Sequence, residues 1–368
     1  MSLLKILSNV LPKTSLQSRC YMASLSNIKV TLCGAGGQIG QPLSLLLKQS
    51  PFVDELALYD SQEINSLAME LGHVDTKCVV NSYCANNFAE AFDKANVVVI
   101  VSGLHAVGKK ASERVFPKNA VIVQQIISHV AKMCPQALIA IGTNPIEGLV
   151  PVVSERLKFA GVYNPNHIFG ITTLNVIRAN TFAANILGLE PECVLVPVVG
   201  GNVDGTIVPI LSQALPCSEF TDIEIENITK SLQTAHYVIE KLRNTQGPTL
   251  ANAFAIARFV VSLIKGLKGQ PNILEYSFIR TNCIGDLKYF GVPIYLGKDG
   301  IAKDMALPTL SNYEQCLIDE AKPIIDYWIK KGNEFVGKID MTLCDPCVRN
   351  QKITCKSDYV PCKNKFKA

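Results

Sequence analysis

No run of 18 consecutive apolar residues occurs in the 368-residue chain, so no membrane-spanning helix is expected. Excess charge of either sign is also lacking. Lys and Arg number 35 against 31 Asp and Glu, and charged residues make up 18% of the chain. That balance is far from the concentrated basic surface of a nucleic-acid binder and points to small-molecule partners. Gly and Pro stand near their average usage, which excludes a long disordered body. There is no internal repeat. Acidic residues are absent from everything ahead of Asp54. What that N-terminal stretch holds instead is Lys5, Lys13 and Arg19, six serines before residue 27, and Leu3, Leu4, Leu7, Val10 and Leu11 on one helical face. Basic, Ser-rich, acid-free and amphipathic is the composition of a mitochondrial transit peptide, here assigned to residues 1–24. The alternative is a plain N-terminal extension.

The hydrophobic fraction of 48% over this length suits two packed domains. IKVTLC (residues 28–33) reads as a buried strand that runs into GAGGQIG and then a helix over 42–49. ELALY (55–59) is a second strand ending at Asp60, NVVVIV (96–101) a third, and ALIAI (137–141) another, with a helix over 114–133. Strands alternating with helices imply an α/β architecture with a doubly wound parallel sheet. After Thr172 the pattern changes to a helix over 174–187, strands at 194–199 and 275–296, and a last helix over 312–332, read as a mixed α/β second domain. The expected divisions are 28–172, 173–338 and a tail, 339–368.

The glycine turn is the first piece of chemistry. Gly34, Gly37 and Gly40 follow a strand and open a helix. Glycine lets the backbone approach a pyrophosphate, and the helix start offers free N–H groups to it. Asp60 comes twenty residues after Gly40, where a carboxylate can accept both ribose hydroxyls and repel a 2′-phosphate. The combination is the dinucleotide-binding (Rossmann) fingerprint, and the expected cofactor is NAD. Gln38 is a bulky residue inside the loop.

GAGGQIGQPLSLLLKQSPFVDELALYD, GVYNPNHIFGITTLNVIRANTF and VPVVGGN together resemble mitochondrial-type malate dehydrogenases, within the lactate/malate dehydrogenase family. The resemblance runs from about Ile28 to Lys338. It implies the two-domain fold of that family, a dimer, the mitochondrial matrix, and interconversion of malate and oxaloacetate by hydride transfer with NAD. It places Gly34, Gly37, Gly40, Asp60, Asn119, Gly142 and Asn144 at the cofactor, with Asn144 also touching substrate. It makes Arg178 the clamp on a substrate carboxylate, a bidentate role suited to the guanidinium. It assigns no metal.

The resemblance fails at the reacting atoms. Asn202 stands where the family has the histidine that takes the hydroxyl proton, and Asn175 where an aspartate holds that histidine. Ala106 and Ser112 stand in place of two loop arginines, and Asn252 in place of a methionine near the nicotinamide. Losing a general base costs about 10²–10⁴-fold. Asn175 and Asn202 can hydrogen-bond to each other, and Lys109, Lys110, Arg114 and His105 remain on the loop. His105 reads as a replacement base or as a surface imidazole. His73, His129, His167 and His236 fall outside the matched motifs. Two readings follow. One is an impaired relative that keeps NAD, pairing as a homodimer or with an active paralogue, with any ligand a 2-oxo or 2-hydroxy dicarboxylate. The other is an active NAD-dependent dehydrogenase of malate, or of another 2-hydroxy acid, with displaced catalytic residues.

Of the 13 cysteines, nine are scattered, and those such as Cys33, Cys134 and Cys193 read as small buried hydrophobes. Cys344, Cys347, Cys355 and Cys362 lie in a basic tail, spaced C-x2-C-x7-C-x6-C. A flexible tail with incidental thiols, a cross-linking or redox segment, and a tetrahedral zinc site are three readings of it.

Overall fold

The computed structural model describes residues 27–108, 110–203, 205–243 and 247–338. The assigned transit peptide and the cysteine-bearing tail lie outside them.

β1 (Lys29–Cys33) is buried along its whole length, as a strand covered on both faces must be. It lies in parallel between β2 (Glu55–Asp60) and β4 (Val97–Ile100). β3 (Val79–Cys84) extends one edge, and β5 (Leu138–Ile141) and β6 (Ile168–Ile171) the other, all parallel. The resulting order, β3-β2-β1-β4-β5-β6, is the doubly wound arrangement expected from the alternating pattern. Its ligand crevice lies beyond the carboxyl ends of β1 and β4, where the strand order reverses.

The sheet does not stop at β6. β9 (Ile273–Arg280) pairs antiparallel with it through Gly170–Phe278 and Ile171–Ser277. β10 (Tyr289–Gly297), β7 (Val198–Gly200) and β8 (Ile207–Pro209) continue the path, and β11 (Gly300–Asp304) folds back on β10. One 11-stranded sheet therefore runs through both halves. Helices cover it: α1 (Gly40–Lys48), α2 (Asn65–Gly72), α3 (Phe88–Phe92), α4 (Ala111–Met133), α5 (Ile146–Phe159), α6 (Thr173–Leu187), α7 (Asp222–Leu242), α8 (Thr249–Leu267) and α9 (Asn312–Lys338). Phe92, Phe116, Phe169, Phe259, Phe278 and Phe290 are fully buried at the centre of the main core. A second cluster, including Val176, Val196 and Leu232, packs α6 and α7 against the strands around 196–207. Helix α8 is long and apolar enough to span a membrane by length and composition alone, but here it packs on α1, α6 and β10.

Three local expectations change. The strand read at 194–199 shortens to β7, because Pro197 has no N–H to give the ladder and Val196 N–H goes instead to Asn180 Oδ1 at 2.8 Å. Helix α9 runs on to Lys338, past the expected end at 332. Cys193 is exposed, while Cys33 and Cys134 are buried as expected.

Behind β2, the His129 ring stacks on Phe88 at 4.0 Å between centroids and faces Phe92 and Tyr59. Its buried Nδ1 has no hydrogen-bond partner. Burial, with Lys132 nearby, holds the imidazole pKa below its ordinary 6.5. The folded state thus binds fewer protons than the unfolded chain below that value. Stability from this group is full above 6.5 and is lost as pH falls through the folded pKa. Thermal melts between pH 7 and 5 are expected to drop more for the native chain than for His129→Phe. Equal pH slopes would count against it.

Candidate active site

The first turn of the crevice is built as the glycine spacing requires. Gly34 has φ of +90°, and a Cβ there would meet Ser102 N at 2.7 Å. Its N–H donates to Tyr59 O at 2.8 Å, tying the ends of β1 and β2 together. At Gly40 a Cβ would overlap the Gly34 carbonyl oxygen and lie 2.6 Å from Ala35 O, so only glycine allows α1 to start against the turn. Gly37 is exposed beside them, and the Gln38 side chain is exposed at the lip. Helix α1 has no side-chain cap and no acid in its first turn. Gln41 N–H donates to Gly37 O at 3.0 Å and Pro42 has no N–H, so the backbone N–H groups at its very start and its positive dipole end are what it offers an anion. Asp60 closes the far side of the turn: Oδ2 accepts Gly36 N–H at 2.9 Å and Oδ1 accepts Ser61 N–H at 2.7 Å. This carboxylate holds the loop at the position expected to receive a ribose.

Asn119 is 1% exposed. Its Oδ1 accepts Leu104 N–H at 2.7 Å, and its Nδ2 donates to Leu104 O at 3.1 Å and to Asn144 O at 2.9 Å. The amide therefore joins the loop after β4 to the end of β5, and acts on the site by positioning those two segments. Gly142 lies at the end of β5 against Ile256 of α8.

Beyond β5 a small cleft is lined by Asn144, Asn202 and Asn252 and by the apolar side chains of Leu174, Ala255 and Ile256. Three amides form a chain along it. Asn175 Nδ2 donates to Asn202 Oδ1 at 3.0 Å, and Asn202 Nδ2 donates to Asn144 Oδ1 at 2.8 Å. The Asn175–Asn202 bond was expected; its continuation to Asn144 was not. Arg178, one turn after Leu174 on α6, is mostly buried, and its Nη2 has no protein partner. Burial lowers the guanidinium pKa to about 10. A largely buried cation with an unused donor is costly unless an anion arrives, which suits a carboxylate receptor; Arg178 itself lies outside the lining of the cleft.

Among the described residues, no charged group of the loop lines the cleft. Arg114 is exposed and its Nη2 donates to Val107 O at 2.5 Å, within the loop itself. Ala106 and Ser112 are partly buried and neutral. His105 is 54% exposed, its Nε2 lies 3.3 Å from Glu240 Oε1 of α7, and it is not among the residues lining the cleft. Lys110 is exposed at the left-handed N-cap of α4, and Lys109 lies outside the described residues.

Residues 28–170 match the NAD binding domain of lactate/malate dehydrogenase, and residues 172–336 match the alpha/beta C-terminal domain of the same enzymes. The chain belongs to the lactate/malate dehydrogenase family. Its first half is this family's NAD-binding domain, and the glycine cradle and Asp60 fit that cofactor. Among relatives, the mitochondrial malate dehydrogenase of Homo sapiens is 39% identical over 331 residues, spanning 88% of this chain and 97% of that protein. That of Sus scrofa is 40% identical over 313 residues, spanning 84% and 92%. In the lactate/malate dehydrogenase fold, the malate dehydrogenase of Cryptosporidium parvum superposes with a TM-score of 0.74 at 23% identity, covering 84% of this chain and all of that one. The lactate dehydrogenase of the same organism, solved with lactic acid and nicotinamide adenine dinucleotide, gives 0.72 at 22% identity, covering 84% and 99%.

One polar residue of this site escaped sequence reasoning. Glu147, fully buried in the first turn of α5, accepts the N–H groups of Asn202 and Val203. The available signal was a lone acid inside the apolar run IEGLVPVV.

Proposed function

We propose that this chain is an NAD-binding malate dehydrogenase relative with little or no malate–oxaloacetate turnover. It works in the mitochondrial matrix as a homodimer or as the partner of an active paralogue. The observation that carries this reading is the amide chain Asn175–Asn202–Asn144. Bound NAD supplies the hydride acceptor of such a reaction. The hydroxyl proton must then pass to a base within hydrogen-bond reach, with a pKa near neutral. An amide oxygen does not take a proton at workable pH, and that of Asn202 already accepts from Asn175. Among the described loop residues, Arg114 is turned onto Val107 O rather than toward the carbonyl. What persists is binding: the phosphate cradle for NAD, and Arg178 for the carboxylate of a 2-oxo or 2-hydroxy acid. The acid-free basic N-terminus and the mitochondrial relatives support the location.

A second reading, an active dehydrogenase with displaced groups, draws on Arg178 and its unused buried donor. Purified full-length chain with NADH and oxaloacetate separates the two. Turnover is expected well below about 1 s⁻¹, the low end of ordinary enzymes, with NADH binding detected by calorimetry at or below millimolar concentration. Turnover above that rate removes the impaired reading, and absence of NADH binding removes the cofactor reading.

A further inference from the structure

Polar ties at three residues hold the ribbon that leads from β4 to α4. Asn119 binds both backbone groups of Leu104, and Arg114 binds Val107 O; both holders belong to α4. The tie at His105 reaches the other half of the molecule. Its Nε2 lies 3.3 Å from Glu240 Oε1, near the end of α7. Glu240 is 8% exposed, and the imidazole is the one partner its carboxylate has among the described residues. A carboxylate so far withdrawn from water is costly without a partner. The imidazole also packs on the turn that opens α8, since a Cβ at Gly247 would lie 3.3 Å from its Cε1. Arg243 pins that turn, with Nη1 3.4 Å from Gly247 O and 3.2 Å from Thr249 Oγ1.

The ties at Leu104 and His105 lead to opposite walls of the cleft. On one side, the Asn119 amide that holds Leu104 also donates to Asn144 O, and a Cβ at Gly103 would come within 2.5 Å of Thr143 Cγ2. On the other, the turn under His105 starts the helix whose Asn252, Ala255 and Ile256 line the cleft, and Asn252 N–H donates to Pro248 O at 3.0 Å. None of residues 102–108 lines the cleft itself, so the ribbon passes its rim from the β5 wall to the α8 wall. We propose that His105 and Glu240 form a latch that straps this ribbon across the mouth of the cleft and opens each time a ligand passes. This rests on reading the cleft as part of the cofactor and acid site. While the latch is closed, neighbouring residues 104 and 105 stay on the two walls. Opening it breaks the His105–Glu240 bond and leaves the Glu240 carboxylate alone. One such bond shifts an opening equilibrium about fivefold. Ligand traffic is thereby governed from α7, an element that lines no part of the cleft.

The test is a double-mutant cycle on the full-length chain with His105→Ala, Glu240→Ala and the two combined. Protection of the Leu104 N–H, read by amide exchange, is expected to fall about fivefold in each single variant and no further in the combined one. The amides of β4 are expected to keep native protection. Unchanged protection in the single variants, or a combined loss equal to the product of the two, overturns the latch. Stopped-flow fluorescence with NADH reads the strap. In His105→Ala the association and dissociation rate constants are both expected to rise about fivefold. Kd is expected to stay within twofold of native, because the latch is closed both before and after passage. Glu240→Gln keeps an acceptor for the imidazole and is expected to bring both readouts back toward native. Lower protection with native rate constants overturns the proposal, since a purely structural tie would loosen the ribbon without gating anything. If NADH does not bind the native chain, the cofactor reading falls and the gate with it. The exchange cycle needs no ligand, so coupling of the two side chains is still decided separately.

Discussion

Replacing Asn202 with histidine alone is expected to raise the rate of oxaloacetate reduction less than tenfold. The new imidazole would face the neutral amide of Asn175, which donates a hydrogen bond to position 202 and does nothing to stabilise an imidazolium. In hydrolases built on histidine and aspartate, loss of the orienting acid alone removes most of the activity. Among the described loop residues the carbonyl would still meet no positive donor, since Ala106 and Ser112 are neutral and Arg114 is bonded to Val107 O. The combined variant Asn175→Asp, Asn202→His, Ala106→Arg, Ser112→Arg is expected to gain 10³-fold or more. A general base is worth about 10²–10⁴ and a fixed donor at a developing charge about 10²–10³, and groups acting as a unit do not simply multiply. Turnover measured across the single and combined variants checks this. A large gain from Asn202→His by itself would mean that the loop is already competent, and the impaired reading would lose its second leg.

Gly40→Ala is expected to weaken NADH binding at least 100-fold and to lower the melting temperature by several degrees. Its Cβ would overlap the carbonyl oxygen of Gly34 and crowd that of Ala35, both backbone atoms that cannot swing aside. Helix α1 would have to withdraw from the turn, and its N–H groups would leave the pyrophosphate. Each hydrogen bond to a charged group is worth about 1.5–3 kcal/mol, so losing two accounts for the factor. Gly72→Ala is the matched control, because no atom lies within 4 Å of its added Cβ. Fluorescence titration with NADH and a thermal melt read both variants. Native affinity in Gly40→Ala would show that the cradle does not hold the cofactor this way.

The parts of this architecture that were legible in the sequence are local ones. β1, β4 and β5 announce themselves as short apolar runs because both faces of each are covered. The glycine turn and Asp60 are legible because a strand, a turn and a helix fix their spacing. β3 was missed: VVNSYC lies at the sheet edge and its side chains are only partly covered, so no clean period survives. Pro197 broke a strand that valines at 194, 196, 198 and 199 suggested. Long-range contacts were the least legible. The Asn175–Asn202 bond was inferred only by way of the resemblance, whereas the bond to Asn144 and the grip of Glu147 on the 202–203 backbone needed coordinates. Nothing in the sequence around His105 signals Glu240, which arrives from α7 far along the chain.

The strand pairing of β6 with β9 has a mechanical consequence. The phosphate cradle grows from the tip of β1 and the amide chain from the ends of β5 and β7, all stitched into one hydrogen-bonded plate. Along β1, β4 and β5 the offset between cradle and cleft is two strand steps, near 10 Å at the usual sheet spacing. No swivelling joint intervenes to stretch or shrink it. Guests of different length must be met by the ribbon leading into α4, whose arginine and imidazole are at present moored elsewhere.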